Sequence, residues 1–422
     1  MSILELPFWL GLLLWSLLPA TRTPWFTIES IPISSQDIVI IIVTCFYALL
    51  PAIDKRPIIN TIHKHWHGHL PILTVAIVLY AALSVTWSEM RERDTIAMLY
   101  TLVLTASGFS LGYNLVVKRS SDSVRPFLWR LTVYLALLGL LYSAASLLTL
   151  SVADVRADTE NMASEFGIPR VGGPLFIAST GYFILIPALS FAIQELIRNP
   201  ARRLFKAVVI FALMLTNIGM GSRGALIVIG AFLLSLIFST KKKKQAIVAA
   251  LVMIIAVTVS AWLFFSQANT ERLQSLDDDS RTETYLTSFD IISHRSTELN
   301  FLGSGYGSYW HWYLPDVEAE GALKSGEFFI STPFGDMLYN PHSTFLLLIV
   351  ELGTVGLAFF LFLWSTLLRV LLKNLTFPIF ASGIFASGIA MFFDCFLFKN
   401  AQLNTLWWIF LFGALALKVN KN

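Results

Sequence analysis

Charge is the scarce ingredient of this 422-residue chain. Asp, Glu, Lys and Arg together make up only 14% of it, while 56% is hydrophobic. Ordinary soluble domains carry roughly a quarter charged residues, so a water-soluble globular protein is excluded. Cysteine is nearly absent as well. The two present, Cys45 and Cys395, lie in or beside apolar runs far apart in the chain, which excludes a disulfide framework and a cysteine-based metal centre. No internal repeat is visible, and the only low-complexity stretch is the run Lys241–Lys244. The first apolar run, Pro7 to Ala20, has more apolar runs behind it and reads as a helix that stays rather than a cleaved signal.

What is abundant is apolar sequence in blocks long enough to cross a bilayer, about 20 residues each. Twelve such runs are expected to be helices: 6–20, 37–53, 70–87, 95–117, 127–150, 174–197, 205–221, 224–239, 246–265, 343–371, 377–393 and 403–418. Nineteen of the 30 Lys and Arg fall in the even-numbered loops, the tail and the helix ends that border them. Basic residues mark the cytoplasmic face, so both termini are expected in the cytoplasm. Few acids share that face: Glu5, Asp54, Asp122 and Glu195. The chain therefore reads as an all-α polytopic membrane protein. Helices one to nine occupy 1–265, a large extracytoplasmic loop occupies 266–342, and the last three helices with a cytoplasmic tail occupy 343–422. A loop of that length in a compact protein is usually functional. A helix is expected near Arg281–Arg295, able to lie flat on a membrane surface.

Three polar features belong to the far face. Gly221-Ser222-Arg223-Gly224 wedges an arginine between two apolar helices, which is costly unless the guanidinium is paired or holds an anion. Asp279-Ser280-Arg281-Thr282 opens the loop helix, and Asn340-Pro341-His342-Ser343 precedes the tenth. Each has an ordinary explanation taken alone: a snorkelling arginine, a helix cap, a structural histidine. Together, two fixed cations and one titratable base on one side of a membrane suit chemistry on a lipid-linked phosphate.

The order and spacing of these segments resemble a known family. The Ser-Arg-Gly turn, the Arg-opened helix leading to Leu302-Gly303-Ser304-Gly305-Tyr306-Gly307, and Pro341-His342-Ser343-Thr344-Phe345 followed by Glu351-Leu352-Gly353 and Gly356-Leu357 look like the O-antigen ligase and polymerase superfamily. Arg170-Val171-Gly172-Gly173 resembles that family's loop ahead of the sixth helix. The family commonly has asparagine after the histidine, where this chain has Ser343. The resemblance implies a GT-C-like fold in a bacterial inner membrane, with the large loop in the periplasm. It implies a donor glycan on undecaprenyl diphosphate, a glycolipid or lipid-linked glycan as acceptor, and an inverting, metal-independent transfer with no cofactor. His342 would be the catalytic base. Arg223 and Arg281 would hold the diphosphate, with Arg170, Tyr306 and Trp310 as further substrate-binding residues. Ligation onto lipid A-core in lipopolysaccharide synthesis is the leading expectation, and polymerisation of lipid-linked repeats is the alternative.

Weaker signals point elsewhere. Asp277-Asp278-Asp279 has the spacing of a metal-binding acid pair, but a solvated acidic loop explains it as well. His63, His65, His67 and His69 alternate on the cytoplasmic face without acidic companions. Trp310-His311-Trp312 reads either as a platform for sugar rings or as an interfacial anchor. His294 and Arg295 are expected on the surface of the loop helix. A polysaccharide transporter is a third reading, but transporters place charges mid-helix and show two related halves, and neither is seen.

Overall fold

The computed structural model describes residues 5–17, 26–28, 31–33, 35–49, 69–88, 91–117, 119, 121–147, 171, 175, 181–199, 201–220, 222–239, 279–310, 329–338, 341–372 and 377–418. In chain order the helices are α1 (Leu6–Leu17), α2 (Ser35–Leu49), α3 (His69–Ser84), α4 (Arg91–Val117), α5 (Ser121–Leu147), α6 (Tyr182–Arg198), α7 (Arg203–Gly219) and α8 (Arg223–Ser239). There follow α9 (Asp279–His294), α10 (Thr297–Leu302), α11 (Thr344–Glu351), α12 (Gly353–Leu372), α13 (Pro378–Ile389), α14 (Phe396–Lys399) and α15 (Ala401–Lys418). Two short antiparallel hairpins were not anticipated: β1 (Phe26–Ile28) with β2 (Ile31–Ile33), and β3 (Phe329–Thr332) with β4 (Gly335–Leu338).

Eleven of the twelve apolar runs coincide with these helices, and the run 246–265 lies outside the described residues. Among the described residues two stretches, Thr95–Val116 and Asp122–Ala145, are long and apolar enough to cross a membrane, and seven other apolar helices are shorter. The exterior carries large apolar side chains, Leu79, Leu137, Leu204, Leu234 and Phe362 among them. Inside, α15 is buried from Ala401 to Leu417 and packs on α4, α5 and α6. A helix buried on every side, hydrophobic nearly all round, needs no amphipathic stripe.

One expected helix is two. The run 343–371 breaks at Leu352, where α11 ends and α12 begins at Gly353 with φ +65. The cause is a close approach of backbones. A Cβ on Gly303 would collide with the Glu351 carbonyl, and one on Gly353 with the Phe301 carbonyl. Tyr80 ties the crossing by donating to the carbonyls of Leu302 and Leu352 at 2.8 and 3.2 Å. An unbroken hydrophobic run conceals such a kink.

At one end of the bundle the charges of α1, α4, α5 and α6 meet. Glu5 accepts from Arg119 at 2.6 Å, from Arg130 at 2.7 Å and from the Trp9 indole at 3.1 Å. Arg125 grips Glu195 in a forked pair, 2.7 Å on both arms. Lys206 donates to the last carbonyls of α6, Glu195 and Asn199, the end where a cation offsets the helix dipole.

Candidate active site

The other end of α6, roughly 20 Å away at 1.5 Å per residue, begins with Tyr182. Its side chain is buried, and its hydroxyl oxygen would lie 2.5 Å from a Cβ at Gly224. Only glycine therefore fits beside Arg223, the first residue of α8, and the starts of α6 and α8 are pressed together. Arg281, in the first turn of α9, and Asp394 are both within electrostatic reach of the same hydroxyl. Asp394 is buried, and its Oδ1 accepts from the Cys395 amide at 2.7 Å. The Asp394 carbonyl accepts from both the amide and the hydroxyl of Thr344, at 3.1 and 2.8 Å. That fixes the start of α11.

His342 stands two residues ahead of α11. It is half-buried, with φ at +47, a left-handed backbone that costs a non-glycine residue on the order of 1 kcal/mol. Ser343 follows as the N-cap, its hydroxyl accepting from Leu346 N at 3.3 Å. Serine and asparagine cap helices about equally well, so the departure at this position keeps the cap. The strained turn aims the chain into α11 and holds His342 outside the helix.

Four helix starts thus gather around Tyr182 and Asp394: α6, α8, α9 and α11. A helix start carries about half a positive charge and leaves backbone N–H groups without intrahelical partners, although at α11 Thr344 N is taken by the Asp394 carbonyl and Leu346 N by Ser343. Helix starts near an arginine, here Arg281, are the kind of setting in which proteins hold anions.

A second layer braces this arrangement. The carboxylate of Glu351, at the end of α11, is fully buried. It accepts from the amides of Gly307 (2.8 Å), Tyr309 (3.2 Å) and Trp310 (2.8 Å). The Trp310 indole donates to the Leu338 carbonyl at 3.1 Å, and Leu338 N donates to the Thr284 hydroxyl at 2.9 Å. The glycine-rich loop therefore links α11, which follows His342, to α9, which bears Arg281.

Three of the expected positions are placed here, and one expectation, a surface Arg295, changes. Tyr306 and Trp310 are both in the interior. The Tyr306 hydroxyl bonds Thr105 at 2.8 Å and its amide donates to Ser84. Both rings, expected to bind substrate, pack against the loop from inside. Arg295 is not a free surface residue. Its guanidinium donates to Asn300, Ser304 and the carbonyls of Val350 and Ile349, at 2.6 to 3.2 Å, closing the end of α11. His294 is exposed and stacks on Phe334. Arg170, Asp277, Asp278, His63, His65, His67, His311, Trp312 and Lys241–Lys244 lie outside the described residues.

Tyr182 and Asp394 escaped notice in the sequence. One signal for Asp394 existed: a lone acid in the apolar stretch Phe392-Phe393-Asp394-Cys395, where an ionisable residue marks a site by default.

Residues 204–361 match the family model Wzy_C, described as O-antigen ligase. No curated protein and no solved structure matches the chain.

Proposed function

We propose, for this chain as a membrane protein of the O-antigen ligase and polymerase superfamily, that it moves a glycan from a polyprenyl diphosphate to a sugar hydroxyl. The observation that carries this reading is the meeting of four helix starts with Arg281 and the α8 start at Arg223. A diphosphate leaving group needs positive charge that is fixed before the reaction, and preorganised charge is usually the largest contribution in such sites.

In the proposed reaction the acceptor oxygen attacks the anomeric carbon from the face opposite the diphosphate. The new C–O bond forms as the bond to the phosphate oxygen breaks, and the diphosphate departs with the electron pair, inverting the centre. His342 takes the hydroxyl proton. Arg223, Arg281 and the helix starts carry the growing charge, so no metal is required. Asp394 is a positioning residue, holding the start of α11 and hence the strained turn at His342. Arg170 stays a candidate cation for the same donor.

The proposed topology is multi-pass in the inner membrane, with both termini cytoplasmic and the site periplasmic. Its support is the separation of the Glu5 and Glu195 ion pairs from the Tyr182 end along α6. The proposed acceptor is lipid A-core. A polymerase acting on a second lipid-linked repeat would use the same donor chemistry. Glycolipid analysis of a deletion strain separates the two: free core with accumulated long donor chains supports ligation, and core carrying one repeat unit supports polymerisation.

A further inference from the structure

The loop helix α9 is built the wrong way round for a helix in water. Its inward face is mostly polar. Thr284, Thr287 and Ser288 are buried beside Ile291, and they are used to grip the β3–β4 hairpin: Thr284 accepts from Leu338 N, and Thr287 donates to the Asp336 carbonyl at 3.0 Å. Its outward side bears Leu286 at 61% and Phe289 at 59% exposure. At about 100° per residue, Tyr285, Leu286, Phe289 and Ile292 form one arc, which borders Arg281 and also takes in the uncharged, exposed Thr282 and Ser293. Glu283 and Asp290, both exposed, form the opposite edge. Large apolar side chains on an outward arc with acids confined to one edge are the pattern of a helix lying in a membrane interface.

The arc is continuous with the apolar exterior of the bundle. The Tyr285 hydroxyl donates to the Phe392 carbonyl at 3.4 Å, and Phe392 is itself 55% exposed. Phe392 packs against Phe345 in a tilted pair with ring centroids 4.5 Å apart. Near the start of α8, Leu226 and Ile227 are exposed as well. Exposed apolar side chains therefore lie on both α9 and α8, the helices whose starts carry Arg281 and Gly224.

We infer that the Tyr285–Ile292 arc of α9, with Phe392, docks into the outer leaflet of the membrane that holds the bundle. The occupant is lipid, because the arc joins surface that a membrane protein already turns to lipid, and because its acids are segregated to the other edge. The consequence rests on the proposed function: Arg281 sits at the depth of lipid phosphates, so a lipid-linked diphosphate reaches it without leaving the leaflet.

The test is nitroxide labelling of the full-length protein in phospholipid vesicles, at single cysteines replacing Leu286, Phe289, Glu283 or Asp290, with Cys45→Ser as background. Collision with oxygen, which concentrates in lipid, is compared with collision with a water-soluble nickel chelate. At 286 and 289 oxygen should win several-fold, and at 283 and 290 the order should reverse, although 289 and 290 are neighbours in sequence. All four sites are exposed, so labelling tests position rather than folding. Nickel access at 289 equal to that at 290 would overturn the inference, placing the arc in water. Loss of access to both reagents at 286 and 289 would also overturn it, since a protein would then cover the arc. The readout needs no transfer reaction, so its outcome is independent of whether the proposed chemistry is right.

Discussion

Glu351→Gln is the change from which most can be calculated. The carboxylate is completely buried and serves three backbone amides at 2.8, 3.2 and 2.8 Å. Hydrogen bonds to a charged acceptor contribute about 1.5–3 kcal/mol each. Glutamine has one oxygen where glutamate has two, and its NH2 would face an N–H donor. At least one charged bond is lost outright and the others become neutral, so a destabilisation of about 3 kcal/mol or more is expected. The damage should also travel. The freed amides belong to the loop that reaches α9 through Trp310, Leu338 and Thr284, so Arg281 loses its fixed distance from His342. The assay is thermal unfolding of the detergent-solubilised protein, paired with transfer measured well below the midpoint. Transfer per folded molecule should fall along with the midpoint. Coincident melting of Glu351→Gln and wild type would refute the assigned grip, and a lower midpoint with unchanged transfer per folded molecule would refute the link to Arg281.

Other substitutions probe the rest of the molecule. Arg223→Lys and Arg281→Lys should each lose most transfer, because a point charge cannot reproduce a forked contact with phosphate; near-full activity in both would remove the diphosphate role. His342→Ala should lower turnover by about 10²–10⁴-fold, the usual contribution of a general base, while donor binding persists and a chelator changes nothing. Glu5→Gln tests the opposite end of the bundle. Burial raises the Glu5 pKa, but hydrogen bonds from Trp9 and Arg119 and the charges of Arg119 and Arg130 outweigh it and hold the carboxyl below its ordinary value. The folded value being the lower one, Glu5 stabilises the protein above the ordinary carboxylate range and loses that contribution as pH falls through the depressed value. The variant should be less stable at neutral pH by about 3 kcal/mol, the scale of breaking a buried pair, and the gap between the two melting curves should close in acid.

Much of this architecture can be read from the order of residues. Long apolar runs mark where helices fall, since nearly every turn of a buried or lipid-facing helix is apolar. The basic residues Arg119, Arg125 and Arg130 do find acids at a common end of the bundle. Motif spacing singles out Arg223, Arg281 and His342 before any contact is known. Contacts between distant segments are what the chain order hides. Tyr182 and Asp394 are separated by more than two hundred residues, and the stacking of Phe183 on Phe396 brings their segments to one place. The kink at Gly353 leaves the hydrophobic pattern intact because both sides of it are apolar. The grip of Arg295 on α11 depends on carbonyls, which carry no residue-type signal. Tyr306 and Trp310 are aromatic in a glycine-rich loop, a pattern equally suited to a binding face and to an internal brace, and their burial is a packing fact that residue type does not carry.

Transfer by the purified protein tests the central claim most directly. Protein in lipid vesicles is given a glycan on polyprenyl diphosphate together with lipid A-core, and both products are followed by mass spectrometry. The expected result is glycan joined to core with inverted anomeric configuration, one polyprenyl diphosphate released for each linkage made, and neither product with Arg281→Ala. Joined product without release of polyprenyl diphosphate, or equal product from Arg281→Ala, would contradict the proposed mechanism.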